Sequence, residues 1–85
     1  MDLSSEVLLE LLGEEIRIRR KRAKMYRFEL AAKAGCSCSH LQSVEKGRTS
    51  VGMCILISIC RALETDLAEI LQACWPKRMK KNGAV

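Results

Sequence analysis

Between Arg27 and Lys46 the chain carries two short helical patterns separated by one glycine, and this spacing leaves few ways to fold. The first pattern, over 27–34, holds Phe28, Leu30, Ala31 and Ala34. Gly35 follows, and glycine suits the left-handed conformation that commonly closes a helix. Ser37 can cap the next helix, expected over 38–45, with Leu41 and Val44 facing inward and Gly47 closing it. Two helices joined by so tight a turn cross at about 90–120°. The crossing needs a small side chain where the helices touch, which Ala31 supplies, and a glycine in the turn, which Gly35 supplies. With Leu41 and Val44 inward, Cys38, Ser39, Gln42 and Ser43 fall on the outer face.

Helical patterning extends in both directions. Ser4 or Ser5 can cap a first helix over 5–23, where Leu8, Leu12, Ile16 and Ala23 recur at helical spacing. Lys24, Met25 and Tyr26 form a short connector. A fourth helix is expected over 52–63, with Met53, Leu56, Ile57, Cys60 and Leu63 as a core-facing stripe. Asp66, followed three residues later by Glu69, forms a capping box that starts a fifth helix over 67–74, with Leu67, Ile70 and Leu71. Trp75 is expected to pack in the core or at a dimer seam. Pro76 should block continuation, leaving a basic tail from 77 to 85 that is expected to solubilise. No region alternates apolar and polar residues in the way a strand does. The expectation is an all-α chain with one domain over 1–76, its helix-turn-helix at about 27–46. A chain of 85 residues buries only about 60–65% of its unfolded surface. That allows one modest core and leaves no room for a deep substrate cleft.

Charge narrows the partners. The formal net charge is +5, which favours an anionic partner, either nucleic acid or a membrane surface. Seven of the eleven residues from 17 to 27 are basic: Arg17, Arg19, Arg20, Lys21, Arg22, Lys24 and Arg27. No stretch approaches the ~20 apolar residues of a membrane span. The first residues lack the basic start of a signal peptide, and Glu10 interrupts the apolar run at 7–12, so a cytoplasmic location is expected. The five cysteines then stay reduced. Cys36 and Cys38 are one residue apart and His40 is the single histidine, which is poor spacing for a four-ligand metal site. No metal, cofactor or catalytic residue is therefore expected. Glu14, Glu15, Glu64, Asp66 and Glu69 read as surface and capping carboxylates. Cys38, Ser39 and Ser43 are short and Gln42 carries an amide, so the outer face of the third helix can approach base edges closely.

The segment from Leu12 to Leu71 resembles the helix-turn-helix domain of the Cro and phage C1 repressor family, also called the XRE type. The resemblance is carried by LGEEIR at 12–17, ELAAKAGCS at 29–37, HLQSVEKGR at 40–48 and LISICRALETDLAEIL at 56–71. It implies a five-helix, lambda-repressor-like DNA-binding domain. It also implies a set of DNA-contacting positions. Arg27, where the family usually has Gln, meets a phosphate and steadies the recognition helix. Ser37 caps that helix and touches phosphate. Cys38, Ser39, Gln42 and Ser43 face the bases, with Gln42 the best direct reader because an amide pairs bidentately with adenine. Lys46, Arg48 and Thr49 lie in the loop that meets the backbone. Some of the basic residues at 17–27 are also expected on phosphates.

Three positions depart from the family pattern. Tyr26 stands where Ser or Thr caps the second helix, so the helix start should fray. Arg19 stands at an apolar position, so either the register slips by one residue or Arg19 is partly exposed. Ser50 and Val51 replace the Pro that follows the recognition loop. The resemblance further implies a sequence-specific transcriptional regulator, a homodimeric repressor or autoregulator on a pseudo-palindromic operator in double-stranded DNA. The alternative is a protein-interaction module, such as an antitoxin, whose main partner is a protein such as a toxin or a polymerase.

Overall fold

The computed structural model describes residues 4–79, with backbone alone for 75–79. Five helices follow in order: α1 (Ser5–Arg22), α2 (Arg27–Ala34), α3 (Cys38–Glu45), α4 (Met53–Ala62) and α5 (Leu67–Met79). No strand occurs among the described residues. α1 packs on α3 and α5, α2 packs on α3 and α4, and α4 also meets α5. The core lies where these helices converge. Ile16, Leu30, Leu41, Ile59 and Ile70 are its fully buried large side chains, one from each helix.

The helix starts are set by the residues that can satisfy their loose N–H groups. Ser4 Oγ accepts from the Val7 N–H at 3.3 Å, and Ser37 Oγ accepts from the His40 N–H at 3.0 Å. Asp66 accepts from the Glu69 N–H at 2.8 Å, while the Glu69 carboxylate accepts from the Thr65 hydroxyl. At the start of α2, where fraying is expected, a capping bond is present. Tyr26 makes no side-chain cap, but the Glu29 carboxylate reaches back and accepts from the Tyr26 N–H at 2.7 Å. This is the second half of a capping box, and it stabilises the first turn without a hydroxyl cap.

The helix ends are unusually uniform. α1 to α4 each close with the paired backbone bonds of a Schellman motif. At α1 these are Lys24 N–H to Lys21 C=O and Met25 N–H to Arg20 C=O; at α3 they are Gly47 N–H to Val44 C=O and Arg48 N–H to Ser43 C=O. The motif needs one left-handed residue. Gly35 (φ 77°) and Gly47 (φ 72°) take it at α2 and α3, as the sequence predicts, but Lys24 (φ 58°) and Glu64 (φ 56°) take it at α1 and α4.

Several expectations need correction. In α1 the buried apolar residues are Leu11 and Ile16, whereas Leu8 and Leu12 are half-buried and Ala23 is exposed. In α4 Met53 and Ile57 are exposed, and the buried residues are Leu56, Ile59 and Cys60. Nearly every side of α4 is apolar, so spacing alone could not choose its inner face. Leu71 is also exposed. α5 does not stop at Pro76 but runs on to Met79. Proline forfeits one helical N–H and crowds the carbonyl four residues back; here the turns before it are already held in the core by Ile70 and Cys74. Lys77 and Arg78 therefore lie on helical backbone. The rest of the basic tail, and the side chain of Trp75, lie outside the described residues.

Candidate nucleic-acid interface

α3 presents one face to the core and the other outward. Leu41 and Val44 are buried, and Cys38, Ser39 and Gln42 are exposed, with Ser43 half-buried beside them. Ser37 is exposed at the cap of this helix. Beyond its C-terminus Lys46 and Arg48 are exposed and Thr49 is half-buried. The structure thus gathers Cys38, Ser39, Gln42 and Ser43 on one accessible surface. A short, polar helix face of this kind fits a duplex major groove, which is wide enough to admit an α-helix.

What holds α3 in place is an ion cluster that spacing did not reveal. Glu45, in the last turn of α3, is buried, and its carboxylate takes Arg20 in a two-pronged grip. Arg20 Nε lies 2.7 Å from Oε2, and Arg20 Nη2 lies 3.2 Å from Oε1. Arg20 also donates to the Met25 carbonyl at 2.9 Å, tying in the α1–α2 connector. Arg27, the first residue of α2, donates Nε to the same Glu45 Oε1 at 3.2 Å. One carboxylate thus joins three helices. Bidentate guanidinium–carboxylate pairs fix orientation as well as distance, so the cluster sets the angle at which α3 stands. The backbone agrees. A Cβ at Gly13 of α1 would sit 2.2 Å from the Val44 carbonyl oxygen, so only glycine lets α1 approach the end of α3 this closely.

Besides Arg27, two of the seven basic residues at 17–27 are therefore engaged in ion pairs within the fold. Arg20 is one. Arg19 is the other: its Nε bonds the Glu15 carboxylate at 2.7 Å, and its Nη1 bonds Thr65 Oγ1 at 3.1 Å. Arg19 is partly exposed and the register of α1 does not slip, since Ile16 and Arg20 are buried one turn apart. Glu15 is buried as well, which corrects its reading as a surface group. Lys21, Arg22 and Lys24 remain exposed, and Arg17 and Arg27 are half-buried. The signal that sequence reasoning passed over was Glu45, an acid one turn beyond the inward-facing Leu41 and next to the inward-facing Val44.

The cysteines differ in setting. Cys38 and Cys54 are exposed, Cys36 is half-buried, and Cys60 and Cys74 are buried, with no disulfide among the described residues. Burial pushes the Cys36 thiol above its ordinary value, and the neighbouring Cys38 adds to this. Burial does the same to Cys60, with Asp66 adding and Arg19 opposing. No group of three or more metal-binding side chains comes together among the described residues. No described helix is long and apolar enough to cross a membrane.

The geometry is that of an all-helical domain built around a helix-turn-helix. Residues 11–73 match the sequence profile of the helix-turn-helix domain, and the chain belongs to that family. It is 31% identical over 58 residues to an uncharacterised HTH-type transcriptional regulator, y4dL, of Sinorhizobium fredii. That match covers 68% of this chain but only 30% of the relative, so the chain spans about a third of that protein's length. Among solved structures it resembles the clp gene regulator ClgR of Corynebacterium glutamicum in two crystal structures. In one, the TM-score is 0.76 at 33% identity, covering 79% of this chain and 86% of the other. In the second, the TM-score is 0.81 at 31% identity, covering 91% and 81%.

Proposed function

We propose that this chain is a sequence-specific transcriptional regulator of the Cro/C1 type, acting in the cytoplasm. α3 enters the major groove of double-stranded DNA. Gln42 reads a base edge directly, and Cys38, Ser39 and Ser43 lie against neighbouring bases. Ser37 and Arg27 meet phosphates on one side, and Lys46, Arg48 and Thr49 meet the backbone beyond the end of α3. One module reads about half a site, so a homodimer on a pseudo-palindromic operator, with half-sites about one helical turn apart, follows from the geometry of such motifs. Repression or autoregulation is the simplest outcome of occupying such an operator. The observation that carries this reading is the exposed polar face of α3, backed by buried Leu41 and Val44 and braced from behind by Glu45.

The deciding experiment is selection of bound duplexes from a random DNA pool at about 150 mM salt, where weak phosphate binding is suppressed. Enrichment of two inverted half-sites supports the dimeric reader. Absence of enrichment from folded protein overturns it and favours the protein-interaction reading, in which a toxin or polymerase surface is the main partner.

A further inference from the structure

We infer that Glu45 is a positioning residue for DNA binding, holding the Arg27 guanidinium in the orientation in which it takes a backbone phosphodiester. This rests on the reading of α3 as the recognition helix. Three observations lead to it. Glu45 is shared by two arginines, so the buried cluster carries one more positive charge than negative. The surplus is not spread evenly, because the Arg20 side chain is only 7% exposed and that of Arg27 is 35% exposed. Arg20 takes both Glu45 oxygens and a backbone carbonyl, whereas Arg27 commits only Nε among the described residues. The uncompensated charge therefore falls on Arg27, the more exposed of the two, whose Nε is anchored on Glu45 and whose terminal N–H groups have no partner among the described residues.

A guanidinium fixed at one edge and open at the other is shaped for a second anion. Guanidinium N–H groups match phosphate oxygens bidentately, and a group already held in place loses less freedom on binding. The DNA phosphate then completes a chain of alternating charges: Arg20, Glu45, Arg27, phosphate. Because Glu45 belongs to α3 itself, the phosphate grip and the base-reading face share one rigid body. A neutral amide at residue 27 could contact a phosphate but would add no positive charge to the cluster.

The test separates orientation from charge. Glu45→Gln raises the net charge by one, so attraction alone predicts tighter binding to every duplex. The positioning role predicts the reverse on the selected operator, a loss of about tenfold. Arg27→Ala should flatten the log–log salt dependence by about 0.9 per protomer. The discriminating comparison is Glu45→Gln in the Arg27→Ala background. If Glu45 acts through Arg27, the second change costs less than about twofold there. An equal loss in both backgrounds assigns Glu45 a purely structural role through Arg20 and overturns the inference. Should Glu45→Gln fail to fold, Arg27→Lys serves instead, since it keeps the charge but cannot fork. A loss of about tenfold at unchanged salt slope supports positioning, and wild-type affinity overturns it. Failure of the wild-type protein to bind any duplex preferentially overturns the DNA reading itself, before Glu45 is at issue.

Discussion

Single residues in this chain act mainly through how closely backbones approach and how helices end. Gly13→Ala would force a methyl group to within 2.2 Å of the Val44 carbonyl oxygen and 2.7 Å of the Glu45 carbonyl oxygen. Backbone cannot swing aside like a side chain, so α1 and α3 must separate. A loss of about 2–4 kcal/mol is expected by urea denaturation, and a loss under about 0.5 kcal/mol would show that the approach is looser. The opposite sign is expected at Glu64. It holds φ 56° at the end of α4, where Lys24 does the same for α1. Glu64→Gly relieves left-handed strain of about 1–2 kcal/mol and returns part of it as unfolded-chain entropy, a net gain of about 0.5 kcal/mol. The left-handed turns at Gly35 and Gly47 were legible in the sequence because glycine advertises them. Those at Lys24 and Glu64 were not, since neither residue favours the conformation.

At the level of elements, α3 combines a readable outer face with a hidden brace. Gln42→Ala should lower discrimination at one base pair by about 1–3 kcal/mol while leaving binding to random DNA nearly unchanged. Competition binding on operators varied at each position measures this, and a uniform loss at all positions would place Gln42 on the backbone instead. Cys38 gives an independent check. It is exposed at the start of α3, whereas Cys36 is half-buried with its thiol pushed up by burial. A bulky maleimide at pH 7 should therefore label Cys38 and Cys54 first, and in a Cys54→Ser protein that labelling should abolish operator binding. Retained binding after full labelling would remove Cys38 from the interface. The brace is costly to break from one side. Arg20→Met leaves Glu45 buried with only partial compensation from Arg27, and a loss of about 3–5 kcal/mol in stability is expected. Restoration of most of that stability by adding Glu45→Leu would identify the carboxylate as the cause.

For the whole molecule, charge and symmetry set the binding behaviour. The net charge is +5, and because Arg19 and Arg20 are paired with Glu15 and Glu45, that surplus rests on the other basic residues. If Arg27, Lys46 and Arg48 each neutralise one phosphate, a homodimer should show a log–log salt slope of about −5. A slope near −2 would mean that most of these contacts are absent or that the complex contains one protomer.

Five helices, the tight turn at Gly35, the cap at Ser37 and the separation of Leu41 and Val44 from Cys38, Ser39 and Gln42 are all written in the chain's local pattern. These are local matters of spacing, capping and glycine conformation, read within a few residues. Packing between helices settles which side of the apolar α4 faces inward, whether α5 passes Pro76, and which of the clustered arginines are bound. Glu45 and Arg20 are 25 positions apart. Their pairing exists because Gly13 lets α1 lie against the end of α3 and excludes water around one carboxylate. No local pattern encodes that meeting. The residues that brace the reading face are visible only once the helices have packed.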